Sequence, residues 1–373
     1  MHVHKIDPQN PRDLDQWVRF PYDLYKHSDL WVPPLISSEA TLLDAEKHPF
    51  YQHSTADFLV AEENGQTLGR IALIHNRRYN EHCRQNAGFF GFFEVVEDIR
   101  IAQALFQALF QWAEQQGFDR IAGPKGLIGA DASGVLVEGF EHRPALNIPY
   151  NFAYYDTFIQ DSGLVKETDY LSGHIDTSGG LPERIQRISD IVQRRRGFWV
   201  KEFKDKRELV AFAPKIIEAH RRSFDSRESH YPYTDEEYAW TTKDLLTIAD
   251  PLLIKIVMKD DETVGFLFAY PDITDGLRKA KGRLFPFGWY HILRDRKRTK
   301  WLNVNGLGVV PEYQGLGANA VLYAELAKTM ASYRFEHVDT VLIAEENFRS
   351  FSDNVSVGVT WYKRHRRYQK ELR

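Results

Sequence analysis

The chain reads as an α/β protein of two tandem units, each a mixed, mostly antiparallel sheet with flanking helices. Three observations predict this. A hairpin-forming strand pair, a further strand, an amphipathic helix and a buried strand follow one another in the same order in both halves. The composition, 43% hydrophobic and 27% charged, is that of a globular protein with ample core material. The length, 373 residues, suffices for two domains.

Residues 2–6 open the first half as a strand. Helical patterns cover residues 12–27 and part of 38–46, separated by the extended Trp31-Val-Pro-Pro34. Strands at 56–62 and 67–76 flank Asn64-Gly65, a strong hairpin signal. A strand at 87–95 leads into a helix at 98–116, which carries Ala102, Leu105, Phe106, Leu109 and Ala113 on one face and stops at Gly117. Residues 120–123 form a short buried strand. A loop-rich stretch follows to Pro149, then a helix at 154–162 and a strand at 170–175.

The second half repeats the order without repeating the sequence. After a helix at 182–195, whose pattern is compatible with either half, come a strand at 198–203, a helix at 206–224, and a hairpin of strands 252–258 and 263–269 across Asp260-Asp261. A strand at 301–310, a helix at 315–330, a strand at 337–344, a helix at 347–356 and a closing strand at 360–372 complete it. The polar, glycine-rich Thr177-Ser-Gly-Gly180 places the domain break, giving domains 1–177 and 178–373.

Several functional classes are disfavoured at once. The net charge of −4 argues against a general nucleic-acid binder. The single cysteine, Cys83, excludes a disulfide framework and a cysteine metal cluster. His220, His230 and His291 show no metal-ligand spacing, so no metal is expected. The start, Met1-His-Val-His-Lys-Ile6, is not a signal peptide and no run approaches a membrane span, so the expected location is cytoplasmic.

The most informative stretch is Gln314-Gly-Leu-Gly-Ala-Asn319. It joins a strand to a helix, the layout in which turn and helix N–H groups face an anion. Gly315 and Gly317 permit close approach and positive φ. No lysine follows, so this is not the phosphate loop of nucleotide hydrolases. Upstream, Gly306 and Gly308 interrupt an apolar strand, which points to a bulge. The segment Val309, Pro311, Tyr313, Gln314, Gly317 and Asn319 resembles the acetyl-CoA pyrophosphate loop of the GCN5-related N-acetyltransferase (GNAT) superfamily, with asparagine where glycine or alanine is usual at the end. The resemblance implies two tandem GNAT-like domains, each with a splayed central strand, and acetyl-CoA or another acyl-CoA as co-substrate. It implies that Leu307, Val309, Val310, Gln314, Gly315, Leu316, Gly317, Ala318, Asn319 and Asn347 line the cofactor. The stretches Gly123-Pro-Lys-Gly126, Asn151-Phe-Ala-Tyr-Tyr155 and Gly163-Leu-Val-Lys166 resemble an uncharacterised bacterial tandem group of that kind.

Acyl transfer from a thioester to an amine needs a deprotonated amine, a stabilised carbonyl oxygen and a protonated leaving thiol. The resemblance implies that backbone N–H groups at 307–310 are the oxygen donors. Asn305 can position water or substrate. Glu345 and Glu346, after strand 337–344, are the nearest carboxylates for a base, a solvated helix cap being the alternative. The resemblance implies a tyrosine acid on the last helix shortly after an asparagine; Asn347 matches the asparagine but no tyrosine follows it, and Ser350, Ser352 and Tyr362 are the candidate acids. The first half lacks a glycine turn and places Glu94, Glu97 and Asp98 there, so it is expected not to hold CoA.

Two basic clusters stand apart. Residues 278–300 interleave cations with Phe285, Phe287, Trp289 and Tyr290, which suits a membrane surface, nucleic acid, an anionic substrate or simply a solvated insertion. Lys363-Arg-His-Arg-Arg367 reads as a charged sheet edge. The expected function is acyl-CoA-dependent N-acyl transfer, most simply acetylation of a primary amine on a small molecule or peptide, with the first domain shaping the acceptor site or forming a homodimer. The alternatives are a non-catalytic acyl-CoA sensor and a tRNA-dependent aminoacyl transferase.

Overall fold

A computed structural model describes residues 1–129, 131, 133–224 and 231–372. In chain order the elements are β1 (His2–Lys5), α1 (Pro11–Leu24), α2 (Ile36–Leu42), β2 (Thr55–Glu63), β3 (Gln66–His75), α3 (Arg77–Cys83), β4 (Ala87–Val95), α4 (Ile99–Gln116), β5 (Arg120–Gly123), β6 (Val135–Glu138), α5 (Tyr154–Asp161) and β7 (Val165–Asp176). There follow α6 (Glu183–Arg196), β8 (Phe198–Lys201), α7 (Lys206–Phe224), α8 (Asp235–Ile248), β9 (Ile254–Lys259), β10 (Glu262–Pro271), α9 (Thr274–Ala280), α10 (Gly288–Arg298), β11 (Trp301–Val309), α11 (Ala318–Met330), β12 (His337–Ala344), α12 (Phe348–Ser356) and β13 (Thr360–Glu371). They gather into two compact units. The first holds Met1–Leu171, Thr274–Leu293 and Lys363–Arg373; the second holds Ser172–Ile273 and Arg294–Tyr362. Among the described residues no helix is long and apolar enough to cross a membrane.

In the first unit the antiparallel run β1-β2-β3-β4 continues into β5, which pairs parallel to β4 and antiparallel to β13. Asn64 and Gly65 both take positive φ, as the predicted two-residue turn requires. Helix α4 buries Ile101, Ala102, Leu105, Phe106, Leu109 and Ala113 on this sheet, each large side chain contributing roughly 1.5–3 kcal/mol. Gly117 closes α4 in the left-handed region.

The second unit repeats this grammar: β8-β9-β10-β11 are antiparallel neighbours, and β12 pairs parallel to β11. Helix α11 starts at Ala318, three residues later than expected, because Gly315 and Gly317 spend the intervening residues in a left-handed turn. Its buried face is wide: Ala320 joins a second cluster with Ile185, Val357 and Val359, so the helix is covered from two sides.

The closing strand corrects one expectation. Lys363-Arg-His-Arg-Arg367 is no solvated edge, since β13 pairs with both β5 and β6. Lys363 is buried and donates from Nζ to the Arg143 carbonyl at 2.8 Å. Arg364 and Arg366 bind Asp169, and Arg367 binds Glu167. The three arginines are paired internally with carboxylates that lie far away in sequence.

Candidate active site

The second unit builds its site where β11 and β12 part. They pair from Trp301–His337 to Val304–Thr340 and no further, although β11 continues beside β10 to Val309. A register shift between Leu267 and Ala269 marks the bulge at Asn305 and Gly306, and Gly306 has φ of +137°. Val310 N–H donates to the Val264 carbonyl at 3.0 Å. Ladder alternation therefore turns the N–H groups of Val309 and Leu307 to the open side. The Val309 carbonyl on that side accepts from Gln314 Nε2 at 3.0 Å. Of the four expected backbone donors, Leu307 and Val309 are thus aimed into the gap, and Val310 is committed to the sheet.

The glycine turn closes the far end. Gly315 has φ of +73° and open space where a Cβ would stand. Gly317 has φ of +91°, and a Cβ there would come within 2.6 Å of Val192 on α6. Among the described residues, the N–H groups of Gly315, Gly317, Ala318, Asn319 and Ala320 have no acceptor. Turn and helix terminus together make a cradle of donors, the arrangement that suits an anion. Tyr313 ties the start of the turn to the sheet, donating to Glu262 Oε2 at 2.7 Å. Two guanidiniums flank it: Arg196 donates to the Leu316 carbonyl at 2.6 Å, and Arg349 to Gln314 Oε1 at 2.5 Å. The residues present fit a pyrophosphate on the cradle, with two exposed arginines beside it.

Helix α12 is docked on the turn by Arg349 and by a hydrogen bond from Asn319 Nδ2 to Asp353. Burial pushes the Asp353 carboxyl up. Asn347 caps α12, its Oδ1 accepting from Ser350 N–H at 3.2 Å. Glu345 lies in the turn after β12. Asn305 is exposed at the bulge and donates to the Tyr270 hydroxyl at 2.8 Å. Burial pushes that phenol up to about 12, so it keeps its proton throughout the neutral range. Tyr362 is placed differently. It donates to Asp339 Oδ1 at 2.5 Å, on the paired part of β12, one residue before the strands part. Beside it Asn303 donates to the buried Asp272 at 2.8 Å. His230 lies outside the described residues.

Sequence reasoning missed Arg196, Arg349 and Tyr270. The run Arg194-Arg-Arg196 before Gly197 carried a signal, a cationic helix end in front of a strand. Tyr270 had none, because its partnership with β11 depends on sheet register.

The first unit parts its strands in the same way: β4 and β5 pair only from Ala87–Arg120 to Phe89–Ala122. There the gap is filled by the chain itself. Lys125 N–H donates to the Phe90 carbonyl at 2.9 Å, and a Cβ on Gly91 would lie 2.1 Å from the Lys125 carbonyl oxygen. Tyr155 Oη accepts from Val95 N–H at 3.0 Å and donates to Glu94, which Tyr25 also binds. Asp98 caps α4, accepting from Arg100 N–H. Two strands that part beside a helix-capping turn, in each of two units, decide the fold.

The chain has the tandem GNAT fold. It aligns over 99% of its length with 98% of a tandem GNAT protein from the clavulanic acid biosynthesis pathway, at TM-score 0.57 and 13% identity. A GCN5-related N-acetyltransferase from Sphaerobacter thermophilus aligns over 96% of its own chain and 100% of this one, at TM-score 0.51 and 15% identity. No family model matches the sequence. Among curated proteins, protein YghO of Escherichia coli K12 is 28% identical across 97% of this chain and 94% of that protein. The bacterial ceramide synthase of Caulobacter vibrioides is 24% identical across 98% of this chain and 97% of that protein.

Proposed function

We propose that this protein is an acyl-CoA-dependent N-acyltransferase whose single CoA site lies in the second unit. One observation carries the reading: the unpaired N–H groups of Gly315, Gly317, Ala318, Asn319 and Ala320, flanked by Arg196 and Arg349, stand at the end of a strand whose open edge offers Leu307 and Val309 N–H. The turn holds a pyrophosphate, and the open edge receives the thioester arm. Leu307 and Val309 stabilise the carbonyl oxygen as the amine nitrogen attacks. The C–N bond forms, the C–S bond breaks, and the thiolate leaves with a proton. Tyr270, held by Asn305 at the bulge, is a better placed phenol for that proton than Tyr362, which is bound to Asp339. Glu345 is the candidate base that draws the amine proton through water.

The acceptor is an amine, and similarity to a protein named bacterial ceramide synthase favours a long-chain amino alcohol over a peptide. Ceramides are N-acylated amino alcohols of that kind. The test follows free thiol while the protein is given acetyl-CoA or a long-chain acyl-CoA with a panel of amines. Amine-dependent CoA release, with the amide found by mass spectrometry, is the expected result. Tight CoA binding without release from any amine would leave a sensor instead, and absence of CoA binding would overturn the site itself.

A further inference from the structure

The segment joining β10 to β11 carries an apolar tip on a cationic base, and neither belongs to the site above. Leu284, Phe285, Phe287, Trp289, Tyr290 and Leu293 are all exposed, Phe285 by 78% and Phe287 by 68%. Soluble surfaces carry single exposed apolar side chains freely, but six within ten residues form a patch that calls for a partner. The tip is held in shape. Trp289 N–H donates to the Leu284 carbonyl at 2.9 Å and its Nε1 to the Pro286 carbonyl at 3.0 Å. A Cβ on Gly288 would stand 1.8 Å from the Arg283 carbonyl oxygen, so the loop turns back tightly on itself. Its base is fastened within the first unit: Ile36 N–H donates to the Gly282 carbonyl at 2.9 Å, and Tyr22 covers the Gly282 backbone.

Charge says what the partner is. Residues 279–300 hold eight lysines and arginines against one carboxylate, Asp295, in a chain of net charge −4. Lys281 and Arg283 precede the tip and are exposed. On α10 the exposed face runs from Trp289, Tyr290 and Leu293 in its first turns to Arg294, Lys297 and Arg298 in its last. Exposed aromatic side chains in one run, with cations one or two turns further along α10, match a bilayer in depth: acyl and glycerol level first, phosphate level next. Nucleic acid would want the cations foremost and the rings between them as stacking platforms. We propose that residues 281–298 seat this protein peripherally on an anionic membrane surface. The seat does not depend on the acyl-transfer reading, because it uses none of that site's residues.

Vesicle flotation of the full chain, without acyl-CoA, tests it. The protein should float with phosphatidylcholine vesicles containing about 30 mol % phosphatidylglycerol and stay down with pure phosphatidylcholine, and salt at about 0.5 M should weaken binding. Phe285→Ser with Phe287→Ser should reduce binding at least about tenfold, as should Arg283→Glu with Arg294→Glu. Bromine-labelled acyl chains should quench the wild type more than Trp289→Phe. These side chains are exposed, so an unchanged melting temperature is the folding control. Failure to float, or equal flotation of wild type and both variants, overturns the proposal. So does a dimer, or a nucleic-acid complex, that the same substitutions abolish, since either would make this patch the seat of a different partner.

Discussion

Gly315 and Gly317 share a turn but answer to different constraints. Gly315 faces open space, so Gly315→Asp adds a carboxylate to the cradle without crowding, and aspartate tolerates the left-handed region better than most residues. Its expected effect is a loss of CoA affinity of at least about tenfold at unchanged melting temperature, read by calorimetry. Gly317→Ala should instead lower stability by about 1–2 kcal/mol, because φ of +91° and Val192 both resist a Cβ. Comparable affinity for CoA in wild type and Gly315→Asp would remove the phosphate from this turn. Tyr362 makes a second comparison. Because it is bound to Asp339 behind the point where the strands part, Tyr362→Phe should cost less than about a hundredfold in turnover, and Tyr270→Phe should cost more. The reverse order would return the acid role to Tyr362.

At the level of elements, β13 carries one source of the pH dependence of folding. His365 is fully buried, with Nε2 3.0 Å from the Pro149 carbonyl, and burial holds its ring down to about 4. The unfolded chain takes up a proton near pH 6.5 and the folded one does not. His365 therefore withdraws stability as pH falls from about 6.5 toward 4, by roughly 3 kcal/mol in total. Denaturant titrations of wild type and His365→Gln should show a steeper acid loss in the wild type, and parallel curves would refute this account. Helix α8 shows how local chemistry sets an element: Thr234 and Glu237 complete a capping box. Thr234→Ala should cost about 1 kcal/mol in the same assay.

For the whole molecule the consequence is stoichiometry. The first unit has parted strands too, but Lys125, Tyr154 and Tyr155 occupy the gap with hydrogen bonds of their own. A titration of the full chain should end at one CoA per chain, and a second equivalent of comparable affinity would refute the division. A truncated product of residues 181–373 is a poor substitute. It keeps 274–293 and 363–373, which belong to the first compact unit, and drops 172–180, which belong to the second. Such a product is expected to be poorly soluble.

Within those limits much was legible from residue order alone. Alternation, Asn64-Gly65 and the 98–116 stripe located strands, turn and helix, because each depends on neighbours within a few residues. The glycine turn was legible for the same reason, since left-handed backbone and helix termini are local demands. Register was not. That Tyr270 meets Asn305, that Arg349 meets Gln314, and that Asp169 takes two arginines of β13 are pairings of residues 35 to 197 positions apart. The missed helices α3, α9 and α10 are short or basic, with little apolar period to read, and α8, though 14 residues long, has only a weak apolar stripe. Composition marked 278–300 as basic and aromatic, but only the folded chain decided that its rings stand in solvent. Burial depends on what the rest of the chain covers, and residue order alone does not contain it.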